Sequence, residues 1–279
     1  MKDSIRYIAN RLSSYYDARE CNSIARYIVE ELSGMSYTDI LVKDTKFSEV
    51  DRENIDVIVK RLLNGEPLQY ILGYSYFCNL KIGVDNNVLI PRPETDELCH
   101  LIIERYKESA PKILDVCSGS GCIALALKNG IPEACVEGVD ISLGAISVAR
   151  KNAENLNLDV EFNEYDVIAD TPKFINNYDI IVSNPPYICQ YEKENMKSNV
   201  LDNEPHIALF VNDDNPLIFY DKIAELGCLI LKSGGNLFFE INPLFYKELT
   251  EILKTKGYVN IEVIDDINER KRFIACTKI

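Results

Sequence analysis

The residues best suited to chemistry are Asn184-Pro185-Pro186-Tyr187, which follow the apolar run Tyr178-Asp179-Ile180-Ile181-Val182-Ser183. Two successive prolines remove backbone donors and fix the direction of the chain. What remains is a row of acceptors, the Asn184 side-chain oxygen and the Pro185 carbonyl, beside the ring of Tyr187. A planar group carrying an NH₂ matches that row, because each N–H meets an acceptor while the plane packs on Tyr187 or Pro186. In an open α/β sheet, ligands bind beyond the carboxyl ends of the strands. The tetrapeptide directly follows a buried strand, so its position is right. A turn without a ligand would account for the prolines but not for the asparagine.

A second constellation lies upstream. Lys112-Ile113-Leu114-Asp115-Val116 runs into Cys117-Ser118-Gly119-Ser120-Gly121 and then into the helical Cys122-Ile123-Ala124-Leu125-Ala126-Leu127. A strand, a glycine turn and a helix N-terminus bring bare backbone close to a ligand. The next strand ends in Asp140, 19 residues past Gly121, where a carboxylate can accept both hydroxyls of a ribose. Gly119-x-Gly121-x-x-Ala124 fits the dinucleotide pattern. Two features turn the reading away from NAD. Asp115, in the turn before the glycines, suits a cationic amino group better than a pyrophosphate, and the sheet finishes in an antiparallel hairpin rather than a second mononucleotide-binding half. S-adenosylmethionine has a ribose and an ammonium but no phosphate. The alternative without a ligand is a tight strand–helix turn, and the loop alone supports only a nucleoside cofactor.

The elements that must hold these loops are read from periodicity. Ile5, Ile8, Leu12 and Tyr15 recur at helical steps, as do Ile24, Ile28 and Leu32, with Gly34 as the stop. Ser48 and Asp51 open a third main helix, with Ile55, Ile58, Val59 and Leu62 on one face and Gly65 and Pro67 closing it. Residues 76–90 change period, and Asp85-Asn86-Asn87 reads as a hairpin turn between the apolar runs ending at Val84 and starting at Val88. From about 93 onward, strands are expected at 112–116, 135–139, 159–163, 179–183, 235–240, 260–265 and 271–276. Helices are expected at 94–107, 121–129, 142–156, 216–231 and 244–256. The fold class is therefore α/β, a mostly parallel seven-stranded sheet covered on both faces. Only Asp266 to Arg270 separate the last two strands, so they pair antiparallel. The division expected is a helical domain at 1–75, a β-hairpin linker at 76–92 and a catalytic domain at 93–279.

Composition narrows the function. The 279 residues are 47% apolar and 27% charged, enough for a sizeable core. The net charge is −14, of which residues 1–75 carry −2 and the remainder −12. So acidic a chain gains nothing from counterion release on a phosphate backbone, which argues against direct nucleic-acid binding. No apolar run spans a bilayer and the N-terminus has no signal-peptide core, so a cytoplasmic protein is expected, off the membrane and monomeric. The nine cysteines form no CxxC pair and the two histidines no metal set, so free thiols and no metal are expected.

Several segments together resemble the release-factor glutamine methyltransferases, the HemK or PrmC family. Gly65-Glu66-Pro67-Leu68-Gln69-Tyr70-Ile71-Leu72-Gly73 is similar to the end of that family's helical domain, and Leu89-Ile90-Pro91-Arg92-Pro93-Glu94-Thr95-Asp96 to its linker. Ile181-Val182-Ser183-Asn184-Pro185-Pro186-Tyr187-Ile188, then Glu204-Pro205 and Ala208-Leu209, match farther on. The resemblance covers essentially the whole chain, in order. It implies a Rossmann-like sheet and S-adenosylmethionine-dependent methylation of the glutamine amide in the Gly-Gly-Gln motif of peptide chain release factors, in translation termination. Cys117, Ser118, Gly119, Ser120 and Gly121 would then hold the methionine end of the cofactor and Asp140 the ribose. Asp166 and Val167 would border the adenine, and Asn184 through Tyr187 would bind the glutamine, with Asn184 and Pro185 catalytic.

The family usually has Gly where Cys117 stands and often an aromatic where Val167 stands, which touches loop width and adenine stacking. It also tends to carry a glycine near Asn242. No His, Cys or Lys adjoins the tetrapeptide, so catalysis should rest on positioning and on acceptors that favour positive charge developing on nitrogen. Arg92 and Glu94 either help anchor the methionine end or are plain linker. Gln190 to Asn199 is either a solvated loop or a flexible cover. Two other functions stay open: a nucleic-acid adenine amino methyltransferase, which would want a basic groove, and a non-catalytic cofactor binder, which would not need Asn184 with both prolines.

Overall fold

The computed structural model describes residues 1–43, 46–171 and 177–279. These divide into two compact units, one made of Met1–Leu72 with Ser198–Asn203, the other of Gly73–Lys197 with Glu204–Ile279.

The first unit is helical: α1 (Lys2–Leu12), α2 (Ala18–Ser33), α3 (Tyr37–Val42), α4 (Glu49–Leu63) and α5 (Leu68–Leu72). Local chemistry sets the ends. The Asp17 carboxylate accepts the amides of Arg19 and Glu20 at the start of α2, and Gly34 closes it in the left-handed region at φ 62°. Ser48 and Asp51 form the expected capping box on α4. Ile8, Leu12, Ile28, Val29, Ile40, Ile55, Val59 and Leu62 bury their side chains together, each such burial contributing about 1.5–3 kcal/mol. Tyr15 departs from the expected face, because α1 ends at Leu12 and leaves the residue 45% exposed. The short α3 and α5 escaped periodicity, since one or two turns cannot display a 3.6-residue repeat. Asn203 joins this unit from far along the chain, donating to the carbonyl of Gly65 at 3.0 Å.

The second unit begins with a hairpin of β1 (Tyr74–Phe77) and β2 (Leu80–Gly83). Its turn is Cys78-Asn79, both at positive φ (46° and 62°), as a two-residue loop requires. This corrects the expected turn at Asp85–Asn87, which is a separate bend after the hairpin and leads into no second strand. Asn and Asp mark turns of every kind, so residue type alone could not choose between them.

The rest alternates as expected. It runs α6 (Pro93–Tyr106), β3 (Lys112–Val116), α7 (Cys122–Gly130), β4 (Cys135–Asp140), α8 (Leu143–Leu156), β5 (Val160–Glu164) and β6 (Tyr178–Ser183). Short pieces follow: β7 (Ile188–Cys189), α9 (Ser198–Leu201, part of the first unit), α10 (His206–Leu209) and β8 (Phe210–Val211). The chain closes with α11 (Ile218–Ile230), β9 (Leu231–Glu240), α12 (Tyr246–Thr255), β10 (Tyr258–Asp265) and β11 (Lys271–Lys278). The seven-stranded sheet has the order β10-β11-β9-β6-β3-β4-β5. Only β11 runs against the others, and it inserts between β9 and β10 rather than lying at the edge.

Side chains alternate between the faces, as the pleat requires. Leu114, Ile181, Leu237 and Ile274 share a core with Ile223, Ala224, Leu249 and Leu253 of α11 and α12. Helices α7 and α8 pack on β4 and β5 and contribute nothing to that cluster among the described residues.

Candidate active site

Sheet order and register place the predicted loops side by side. Strand β3 pairs with β6 on one side, Val116 opposite Ser183, and with β4 on the other, Val116 opposite Val139. Asn184, Cys117, Asp140 and Tyr165-Asp166 therefore leave the carboxyl ends of adjacent strands, spaced by about 4.8 Å per strand. The chain runs outward from β3 to β4 and β5 one way and to β6 and β9 the other, so the crevice is the topological switch point. A cavity of about 220 Å³ opens there. Its wall includes Cys117, Ser118, Gly119, Ser120, Asp140, Asp166, Val167, Asn184 and Pro186 of the expected residues. Asp115, Gly121, Pro185 and Tyr187 are not part of that wall.

The glycine loop is shaped by its backbone. Gly119 sits at φ 54° with open space where a Cβ would point, and its amide donates to Asp140 Oδ2 at 2.8 Å. Gly121, at φ 78°, is a packing glycine: a Cβ there would come within 2.7 Å of Phe162. Cys117 takes φ 62°, the left-handed conformation that favours glycine, with no glycine to relieve it. Asp115 lies within β3 rather than in the turn, on the α7 side, where it accepts the amide of Ala124 at 3.2 Å. It is fully buried, and burial pushes its carboxyl well above the usual range. Its second oxygen and the Ser118 hydroxyl are buried without a protein partner.

Asp140 is held in place by two backbone donors, the amides of Gly119 (2.8 Å) and Ser142 (2.9 Å), one on each oxygen. Each oxygen keeps a further lone pair, so a vicinal diol can still be received. Burial raises its pKa and the same amides oppose the rise. Asp166 is fixed through Oδ1 by the amides of Ile168 (2.8 Å) and Ala169 (3.2 Å). Val167 is buried and offers no ring, but Phe219 of α11 and Tyr165 join the same wall. The aromatic surface thus comes partly from a helix that was expected at 216–231 but not expected to reach the site.

Behind the tetrapeptide lies a buried network that the sequence did not reveal. Pro93 at the first turn of α6, a position that suits its fixed φ, presents Thr95 beside the ends of β6 and β9. Asn184 Nδ2 donates to Thr95 Oγ1 at 3.1 Å, and Thr95 Oγ1 donates to Glu240 Oε2 at 2.6 Å. The Tyr187 hydroxyl donates to Glu240 Oε1 at 3.1 Å. Arg92, also in the wall, pairs with Glu204 at 2.6 Å, and Glu204 accepts the amide of Ile90 at 3.1 Å. Arg92 is thereby tied to the Glu204-Pro205 segment, whose neighbours Ile207 and Ala208 continue the wall.

Cys78, Asp96 and His100 stand together with their ligand-type atoms within 4.8 Å of one another, a grouping not expected from the spacing of the histidines. Both Asp96 oxygens are engaged, one by the Cys78 amide at 2.7 Å and one by His100 at 3.0 Å, which clamps the hairpin turn to α6.

Comparison with known proteins agrees with this architecture. The PrmC N-terminal domain model matches residues 3–73, and the methyltransferase small domain model matches residues 85–206. A release factor glutamine methyltransferase of Bacteroides thetaiotaomicron is 41% identical, over 98% of each chain. One from Flavobacterium psychrophilum is 39% identical over 94% of each. Among solved structures, a ribosomal protein L11 methylase from Lactobacillus delbrueckii subsp. bulgaricus aligns with TM-score 0.50 at 22% identity, covering 71% of this chain and 84% of its own. A 16S rRNA N2 G1207 methyltransferase of T. thermophilus, in complex with AdoMet and guanosine, gives 0.52 at 19%, covering 74% and 50%. At such identities the solved structures speak for the fold alone.

Proposed function

Because the chain belongs to the release factor glutamine methyltransferase family, we propose that it methylates the side-chain amide nitrogen of the glutamine in the Gly-Gly-Gln motif of peptide chain release factors. The observation that carries this reading is one cavity whose wall includes both the glycine loop with Asp140 and the acceptor-bearing Asn184 with Pro186.

The residues present fit S-adenosylmethionine. The buried, unpartnered Ser118 hydroxyl in the wall and the open space over Gly119 suit its amino-acid end. The free lone pairs of Asp140 suit the ribose diol, and Asp166, Val167 and Phe219 suit the adenine. When bound, the cofactor supplies an electrophilic methyl group on a sulfonium. The protein's own work is to aim the nucleophile. An amide lone pair is delocalised into its carbonyl, and the Asn184 oxygen with the Pro185 carbonyl, accepting both N–H groups, favours positive charge developing on that nitrogen. Pro185 and Pro186 are buried and cannot donate, so that edge of the site stays acceptor-only.

Residues 1–75 would serve as the substrate-recognition domain, 76–92 as the linker and 93–279 as the catalytic domain. The enzyme would act as a cytoplasmic monomer. It would not contact nucleic acid directly, and this last point is supported by the acidity of residues 76–279, which carry −12 of the net −14. No helix among the described residues is long and apolar enough to cross a membrane.

The experiment is incubation with methyl-labelled S-adenosylmethionine and either purified release factor or duplex DNA. Label should enter the release factor, disappear when the motif glutamine is replaced, and stay off DNA. Asn184→Ala should abolish transfer while cofactor affinity falls much less. Labelled DNA, or a fully active Asn184→Ala enzyme, would sink the proposal.

A further inference from the structure

We propose that Glu240 and Thr95 are positioning residues that fix which end of the Asn184 amide meets the substrate, an inference that rests on the glutamine methylation proposed above. Asparagine carries a donor and an acceptor on nearly superimposable ends. Only the oxygen is useful here, because the incoming amide offers N–H groups. A reversed Asn184 would set donor against donor.

The structure supplies a chain of fixed polarity. The Glu240 side chain ends β9 beside Asn184 at the end of β6, the two strands being in register at Ser183 and Phe239. As a carboxylate, Glu240 only accepts. One oxygen takes the Thr95 hydroxyl at 2.6 Å and the other the Tyr187 hydroxyl at 3.1 Å. With its proton committed to Glu240, Thr95 offers Asn184 nothing but lone pairs. Asn184 must therefore turn its NH₂ toward Thr95, at 3.1 Å, and its oxygen the other way. The same carboxylate holds Tyr187, so the first and last residues of the tetrapeptide share one anchor. The Tyr187 carbonyl is further held by Asn242 Nδ2 at 3.1 Å.

The surroundings keep this anchor unusual. Glu240 is 1% exposed, and the Tyr220 hydroxyl donates to its backbone carbonyl at 3.1 Å. Burial raises the Glu240 carboxyl above its ordinary range, and Glu94 adds to the rise. The Thr95 and Tyr187 hydroxyls and the nearby Arg272 charge on β11 oppose it. The Arg272 guanidinium itself rests on Asp266 at 3.5 Å, so Glu240 has hydroxyl partners rather than a close ion pair. Protonated Glu240 can donate to Thr95, which frees the threonine proton to bind the Asn184 oxygen and turn the amide round. Activity should thus be present while Glu240 is ionised and fall as pH drops through its raised pKa.

The test compares Glu240→Gln, Thr95→Val and Thr95→Ser with the parent by kcat, KM for release factor, cofactor Kd by calorimetry, and pH–rate profile. Glu240→Gln and Thr95→Val should lose about a hundredfold in kcat, the usual cost of one preorganised polar contact, with cofactor Kd nearly unchanged and the acid limb of the profile gone. Thr95→Ser, which keeps the hydroxyl, should behave as the parent. The Asn184 side-chain amide signal, followed by NMR on the cofactor-free protein, should shift with a titration in the parent and stay constant in Thr95→Val. An active Glu240→Gln enzyme with its acid limb intact, a Thr95→Ser as poor as Thr95→Val, or an Asn184 signal blind to pH in the parent overturns the inference. A parent that does not methylate release factor overturns the function proposed above, while the NMR titration still decides the polarity of the network.

Discussion

At Cys117 the chain carries a side chain through a backbone conformation suited to glycine, φ 62°, at the edge of the cavity. The left-handed region costs a residue with a Cβ roughly 1–2 kcal/mol. Cys117→Gly removes that strain along with the thiol, whereas Cys117→Ala removes the thiol and keeps the strain. Urea unfolding should therefore find the glycine variant more stable than the alanine variant by about 1 kcal/mol. Equal midpoints would show that the loop relaxes freely at this position. Residue type was a good guide wherever the chemistry is local to the chain: Asn184 and Asp140 announce themselves by what precedes them. Thr95 and Glu240 do not, because they are 145 positions apart and meet only when β9 docks beside β6 and α6 begins next to both. Nothing in either neighbourhood states that partnership. Asp115 was legible as an acid at the loop but not as one sunk beneath it, since only the pleat of β3 and the docking of α7 decide that its side chain meets the amide of Ala124.

Between elements, the main tie is Asn152 on α8. Its side chain donates to the carbonyls of Gly83 and Ser120, both at 2.9 Å, and accepts the Gly83 amide at 2.8 Å. One buried amide thus joins the hairpin to the glycine loop. Asn152→Ala leaves three backbone groups without partners, and the cost should be roughly 3 kcal/mol. Amide exchange at Gly83 should quicken in parallel, and an unchanged exchange rate there would mean the hairpin is held by other contacts. The sheet itself was readable, because a buried parallel strand is an apolar run between turn residues. The hairpin was placed too late because its turn uses Cys78-Asn79, a pair less marked than Asp85-Asn86-Asn87. The insertion of β11 between β9 and β10 has no local signal at all: the loop between the last two strands fixes their antiparallel sense but not which of them pairs with β9.

For the whole molecule, the uneven charge bears on encounter. Residues 76–279 carry −12 of the net −14, and such a surface draws a basic protein partner over distances of the Debye length, about 10 Å at 0.1 M salt. Methylation at low release-factor concentration should slow as salt is added, with KM rising and kcat holding. A second-order rate indifferent to salt would remove charge from the account of recognition. The discontinuous helical unit carries a different consequence. Its last piece, Ser198–Asn203, is separated from Leu72 by most of the sheet. A ribosome adding about 5–20 residues per second needs on the order of ten seconds to span that interval. During synthesis the helical unit therefore waits, one helix short, with the carbonyl of Gly65 not yet met by Asn203, until the strand that ends in the tetrapeptide has been made.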